Sequence, residues 1–352
     1  MLIPYQTLRA NAVRIFQAAG SGTEEAEIVA DHLVEANLRG HDSHGVGMIS
    51  IYMKNLAAGS LIPNRRGRLI KEDGAILHYD GERGYGQVTA RALTELGIER
   101  ARRTGLAAVA LRNAHHIGRV GSYGEQCAAA GLISLHFVNV IGHKPYVAPH
   151  RGADARLGTN PVCIALPAGE PGRPVILDMA TSKVAVGKVR VASNEGRELA
   201  GDLLLDRAGR PTTDPGALFG EPGGAVLPMG EHKGYALAFI CELLAGAVTG
   251  GGTLTPKNQG QDTITNNMLA FILDPRRLVD QAWLRQEIEA ITGCVTASPP
   301  RDPAAPVLIP GDPERQMRAR RMAEGISIDD VTWGQLAEAA AGHGVKLETA
   351  GD

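Results

Sequence analysis

The chain has 352 residues, 44% apolar and 21% charged, enough for about two domains with a real core and unlike a disordered, collagen-like or coiled-coil sequence. Lysine and arginine number 36 against 38 acidic residues, for a formal charge of −2. With the dense basic runs confined to 65–68 and 318–321, nucleic acid is not an expected partner.

In chain order, two helices are expected before residue 40, separated by 20–22, with Ser21 and Glu24 as a capping box and Gly40 as the stop. A third helix covers 48–58. From about residue 74, short β-rich runs at 75–79, 107–111, 133–140, 162–166, 175–177 and 268–273 alternate with helical segments at 87–103, 122–130 and 234–249. Helical signals return at 281–292, 313–323 and 328–341, interrupted by a proline-rich loop at 298–313. The texture is mixed α/β. No G-x-G-x-x-G joins a strand to a helix and no P-loop occurs, so a Rossmann dinucleotide fold is not claimed.

The four cysteines, Cys127, Cys163, Cys241 and Cys294, are far apart in apolar stretches without a C-x-x-C pair, which reads as buried reduced thiols and a cytoplasmic address. No apolar stretch reaches about eighteen residues, and the N-terminus lacks a basic segment leading into an apolar one. Neither a membrane span nor export is expected.

Three segments concentrate groups suited to chemistry. His41-Asp42-Ser43-His44-Gly45 is a glycine-bounded turn after a helix. An imidazole beside a hydroxyl is equipped for proton transfer there, although the same residues also suit a plain helix end. Asn113-Ala114-His115-His116-Ile117-Gly118-Arg119 follows strand 107–111, where ligands gather in α/β folds; His115 reads as a hydrogen-bonded core histidine. Met229-Gly230-Glu231-His232-Lys233-Gly234-Tyr235 opens an apolar helix, whose free N–H groups and lysine suit a phosphate as well as a surface position. Gly158-Thr159-Asn160-Pro161 and Leu177-Asp178-Met179-Ala180-Thr181-Ser182 suit a cofactor pocket or ordinary turns equally. Five of the 11 histidines cluster between His115 and His150, but they lack metal-ligand spacing, and His136 is expected on a buried sheet face. No metal is expected.

Taken in order, the 40–45 turn, His115-His116-Ile117-Gly118, 158–161, 178–182, Lys233-Gly234-Tyr235 and Pro310-Gly311-Asp312 resemble the malate/L-lactate dehydrogenase type 2 family, in particular its hydroxycarboxylate dehydrogenase branch. The resemblance implies an NAD- or NADP-dependent oxidoreductase that interconverts small 2-hydroxy and 2-oxo acids. It further implies a non-Rossmann mixed sheet, with a helical part from both chain ends (1–73 with 276–352) against a cofactor-binding part (74–275), in a homodimer. His44 and His116 carry over as catalytic. We read His116 as the acid/base, with His44 and Ser43 orienting the substrate; the alternative is His44 as the proton donor. The implied cofactor residues are Asn160, Asp178, Met179, Ala180, Thr181, Ser182, His232, Lys233, Gly234, Pro310, Gly311 and Asp312.

Two positions depart from the family pattern. Met48 stands where many members carry an arginine that clamps the substrate carboxylate, and Asp312 where glutamate is common. A thioether cannot replace a bidentate guanidinium, so Arg119 or Lys144 is expected to supply the charge, and Met48 to open an apolar pocket for a larger 2-oxo acid. The alternatives are reduction of a cyclic imine carboxylate by the same proton donor, a ligand-binding homologue without turnover, and a metal-dependent hydrolase. Retention of both histidines argues against the second, and chelator insensitivity would exclude the third.

Overall fold

Leu8, Ile15 and Phe16 recur on one face of α1 (Tyr5–Ala18), and Ala26, Val29, Ala30 and Leu33 on one face of α2 (Thr23–Leu38), so the two helices close around an apolar stripe. The computed structural model describes residues 1–349 except 168, 170 and 171. α3 (Ile49–Ala57) and α10 (Asp330–Ala341) add Ile49, Tyr52, Leu336 and Ala340 to the same core. Strands β1 (Leu2–Ile3) and β12 (Ile326–Ser327) pair antiparallel, tying the two ends of the chain together. Ser21 does not cap α2. The N-cap is Gly22, whose N–H donates to Asn64 Oδ1 at 2.7 Å, while Glu25 accepts the Asn64 N–H at 2.8 Å. A distant loop thus replaces the local box.

The main sheet contains β2 (Arg68–Asp73), β3 (Ile76–Asp80), β4 (Leu106–His115), β5 (Ile133–Ile141), β6 (Val162–Leu166), β7 (Val175–Met179) and β11 (Thr265–Leu273). Their order is β2-β3-β4-β11-β5-β6-β7, with β3 and β4 parallel and every other neighbouring pair antiparallel. α4 (Gly86–Thr104) is the crossover between the parallel strands. It and α5 (Gly121–Ala129) bury Leu93, Ile98, Tyr123 and Cys127 against Val109, Leu111 and Met268. α7 (His232–Cys241) continues as a π-helical segment, Glu242–Val248, packed on β5 and β11. There Glu242 accepts hydrogen bonds from Asn139 and Asn160.

A smaller sheet of β8 (Leu204–Leu205), β9 (Pro211–Thr212) and β10 (Ala225–Val226) shares a core with α6 (Val186–Asn194) through Val189, Ala192 and Leu204. α8 (Gln281–Thr296) buries none of its side chains, and Cys294 on it is exposed. The expectation of four buried thiols therefore fails at that position, while the other three are buried. α9 (Asp312–Glu324) packs on α2. Among the described residues no helix is long and apolar enough to cross a membrane, and no cluster of three His, Cys, Asp or Glu side chains could hold a metal ion.

This packing carries a pH signature. Burial holds His115 near 3 and His136 near 4, and the two are 1% and 0% exposed. In the unfolded chain each titrates near its ordinary value and so binds protons that the folded state refuses. Stability is therefore fully present above about pH 6.5 and falls as the pH drops toward 4, by roughly 1.4 kcal/mol per pH unit for each histidine. Urea unfolding at pH 7.5, 6.0 and 5.0 should show uptake of about two or more protons; stability unchanged across that range would contradict the burial.

Candidate active site

Two backbone devices deliver the histidines. Asn37, at the end of α2, donates to Asp42 Oδ1 at 2.6 Å and accepts the Val46 N–H at 2.9 Å, stapling the turn that carries Ser43 and His44. Gly45 is required beside it, because a Cβ there would stand 2.2 Å from Asn37 Oδ1. At the other segment, Asn266 Oδ1 accepts the Ile117 N–H and Asn267 Oδ1 the Asn113 N–H, each at 3.0 Å, where a bulge interrupts the β11–β4 ladder. His115 turns into the core, with Nε2 2.8 Å from Asn55 Oδ1, and His116 follows β4 on the cleft side.

The two segments converge. His44 Nδ1 lies 3.2 Å from His116 Nε2, and the Tyr52 hydroxyl 2.6 Å from His116 Nδ1. Gln87 Nε2 donates to Tyr52 Oη at 2.7 Å. His116 Nε2 and His44 Nδ1 share one hydrogen between them, and Tyr52 Oη engages the other nitrogen of His116. With that hydrogen on His44 Nδ1, its Nε2 carries an open lone pair. Both nitrogens of His116 are engaged, whereas among the described residues nothing pairs with His44 Nε2. Burial holds His44 near 4, helped by the charges of His41, Arg119 and Arg190, and holds His116 well below its ordinary value, helped by His44 and His115. Both rings rest neutral.

The proposed carboxylate anchors sit elsewhere. Arg119 is 1% exposed, donates to Glu125 at 2.6 Å and lies 3.7 Å from Asp178, so its charge is already compensated. Lys144 pairs with Glu221 at 3.1 Å. Met48 is 5% exposed and packs into the helical core instead of opening an apolar pocket.

The cofactor candidates divide similarly. Asp178 and Met179 lie within β7, beyond the predicted strand end, and Asp178 accepts the Gly121 N–H at 2.8 Å. Thr181 donates to the Thr159 carbonyl at 2.8 Å and Ser182 to the Val184 carbonyl at 2.9 Å. Asn160, fully buried, donates to the Ala238 carbonyl and to Glu242. The Thr181 and Ser182 hydroxyls thus fasten the backbone, and the Asn160 amide is shared between backbone and Glu242. Asp312 is likewise committed, accepting from Arg173, Arg315 and the Ile309 N–H. Burial alone would raise its pKa, but these bonds hold it near 2. Ala180 is half-buried. Pro310, exposed, accepts the Ile176 N–H, and Gly311 is left-handed at φ +96°. His232 and Lys233 are exposed at the start of α7. Gly234 is buried where a Cβ would meet the Met229 carbonyl oxygen at 2.1 Å.

A cavity of about 520 Å³ opens between Asp178, Ile176, Gly311, Glu314, Arg315 and Arg119. Glu314 on its wall lies 3.4 Å from Nε2 of His41, in the turn that carries His44. Arg119 Nε and Nη1 are buried without a hydrogen-bond partner, Nη1 facing Asp178 at 3.7 Å. Tyr52, Gln87 and Asn37 were not legible as site residues. Only the rule that a buried hydroxyl needs a partner points to Tyr52, and nothing local names its neighbours.

A neutral histidine pair with one open nitrogen, set at the end of a central strand of an α/β sheet, is an arrangement suited to proton transfer. The chain belongs to the malate/L-lactate dehydrogenase family, whose model matches residues 3–337. It is 44% identical over 346 residues to hydroxycarboxylate dehydrogenase B of Escherichia coli (strain K12), covering 98% of this chain and 95% of that one. It is 38% identical over 352 residues to L-lactate dehydrogenase of Cupriavidus necator, covering 99% and 100%. A solved dehydrogenase structure from Sinorhizobium meliloti, 33% identical, superimposes with a TM-score of 0.86 over 96% of this chain and 98% of that one.

Proposed function

We propose that the chain is a nicotinamide-dependent dehydrogenase that interconverts 2-hydroxy and 2-oxo acids, with His44 as the acid/base. The observation that carries the reading is the chain Gln87–Tyr52–His116–His44, which ends on a free Nε2. His44 Nε2 takes the hydroxyl proton in oxidation and returns one to the carbonyl oxygen in reduction. His116, itself held by Tyr52, engages Nδ1 and so aims Nε2 at the substrate; His44 is preferred to His116 as the direct donor because both nitrogens of His116 are engaged.

The cavity beside Asp178 and Gly311 suits part of NAD or NADP, and Lys233 at the start of α7 suits a phosphate. When bound, the nicotinamide supplies or accepts the hydride at C2. The same reading divides the chain into 1–73 with 276–352 and 74–275 on a non-Rossmann sheet, supported by the pairing of β1 with β12, and makes it a cytoplasmic homodimer.

The test is a spectrophotometric panel of pyruvate, oxaloacetate, 2-oxoglutarate, phenylpyruvate and a cyclic imine carboxylate with NADH and NADPH. At least one 2-oxo acid should be reduced, with chelator present or absent. Reduction of the imine alone would favour the reductase alternative, and no oxidation of either cofactor would remove the reading.

A further inference from the structure

We infer that Arg190 on α6 binds the substrate carboxylate, the role that neither Arg119, Lys144 nor Met48 is placed to fill. The inference rests on the 2-oxo acid reading above and adds a residue to it.

The first observation is contact. α6 lies directly on the histidine turn: a Cβ added at Gly187 would stand 2.2 Å from Ser43 Cβ and 2.9 Å from its Cα, so a glycine is what lets the helix come this close. Arg190 is three residues further along the helix and therefore shares the Gly187 face. The second is charge balance. Arg39 is paired with Glu35 and Glu125, and Arg119 and Lys144 are paired as described. Arg190 is half-buried, and among the described residues no carboxylate or carbonyl is bonded to it. The third is reach. Its charge acts on both His44 and Tyr146, adding to the lowering of the His44 pKa and opposing the rise that burial imposes on Tyr146.

In a 2-oxo acid the carboxylate carbon is bonded directly to the carbonyl carbon. The group that holds one and the group that protonates the oxygen on the other must lie on facing walls of a narrow slot. The Ser43–His44 turn and the α6 face that touches it form such walls. A half-buried guanidinium without an anion is a site for one, and its planar fork matches a carboxylate with two parallel hydrogen bonds. Met48 supplies no cation on the α3 side of the turn, and Arg190 offers one on the α6 side.

The experiment compares wild type with Arg190→Gln, Arg190→Lys and Lys188→Gln, the last being an exposed lysine on the same helix. Each is assayed on the preferred 2-oxo acid and on its methyl ester, with NADH or NADPH binding followed by fluorescence quenching. Arg190→Gln should raise KM for the acid about 100-fold, leave the ester nearly unchanged and leave cofactor Kd within twofold. Arg190→Lys, which keeps the charge but loses the fork, should fall between, and Lys188→Gln should match wild type. If wild type reduces the acid while Arg190→Gln keeps its KM, or loses acid and ester equally, the inference fails and the enzyme reading stands. If wild type reduces no 2-oxo acid, the enzyme reading fails and takes the inference with it. Should Arg190→Gln not fold, Arg190→Lys decides alone, an acid-to-ester preference equal to wild type overturning the assignment.

Discussion

His44→Asn is expected to lower kcat/KM for a 2-oxo acid by about 10^3-fold with cofactor binding intact, whereas His116→Asn should cost about 10^2-fold. The asymmetry follows from which ring nitrogen is unpaired. The open Nε2 belongs to His44, and removing that ring removes the proton donor itself. His116 acts one bond back, fixing the tautomer and tilt of His44 through the 3.2 Å contact, a role an asparagine amide reproduces in part. The pH profiles carry the same signature. With His44 held near 4 in the free enzyme, the neutral base needed for oxidation is present across neutral pH, and kcat/KM in that direction falls only as the pH approaches 4. Reduction needs the protonated ring and gains as the pH falls. Steady-state kinetics of both variants in both directions checks this. A His44→Asn enzyme within tenfold of wild type, with His116→Asn far worse, would reverse the roles.

Gly86→Val is expected to be the most damaging single substitution outside the histidines. A Cβ at Gly86 would lie 2.1 Å from the His115 carbonyl oxygen and 2.6 Å from the His116 carbonyl carbon, both backbone atoms that cannot swing aside. Either α4 backs away, separating Gln87 from Tyr52, or the strand end shifts and carries His116 with it. Overpacking of this kind costs about 1–3 kcal/mol of stability, and here it also breaks the chain of donors behind His44. We expect a lower Tm together with a loss of at least tenfold in kcat. Gly293 makes the contrast: it lies in exposed α8 with nothing within 4 Å of its would-be Cβ. Gly293→Ala should leave activity alone and stabilise by roughly 0.5–1 kcal/mol. Equal behaviour of the two variants would show that the close approach at Gly86 is not needed.

The elements that were legible are those whose burial is periodic. The strand expected at 107–111 lies inside β4, which runs on through Arg112–His115 because β11 keeps pairing with it. The expected helices at 87–103 and 281–292 match α4 and α8 to within a few residues. Hidden elements carry no such pattern. β2, Arg-Leu-Ile-Lys-Glu-Asp, is an exposed edge strand that only its partner β3 defines. α6 is rich in valine with a glycine near its start, a poor helix former, and is held by the core it shares with β8 and β10. The segment expected as one helix at 234–249 changes to a π-helix at Glu242, whose carboxylate is drawn onto Asn139 and Asn160. At the site, His44 and His116 could be read because each sits in a dense local motif. Tyr52, Gln87 and Arg190 could not, because each becomes significant only when three distant segments meet.

Isotope transfer tests the central claim most directly. The enzyme, given its preferred 2-oxo acid and nicotinamide cofactor carrying deuterium at the transferable C4 position, should yield a 2-hydroxy acid with one deuterium at C2, read by mass spectrometry. His44→Asn should slow that transfer by about 10^3-fold. A product without deuterium, or transfer that proceeds at the wild-type rate once His44 is gone, would contradict the account.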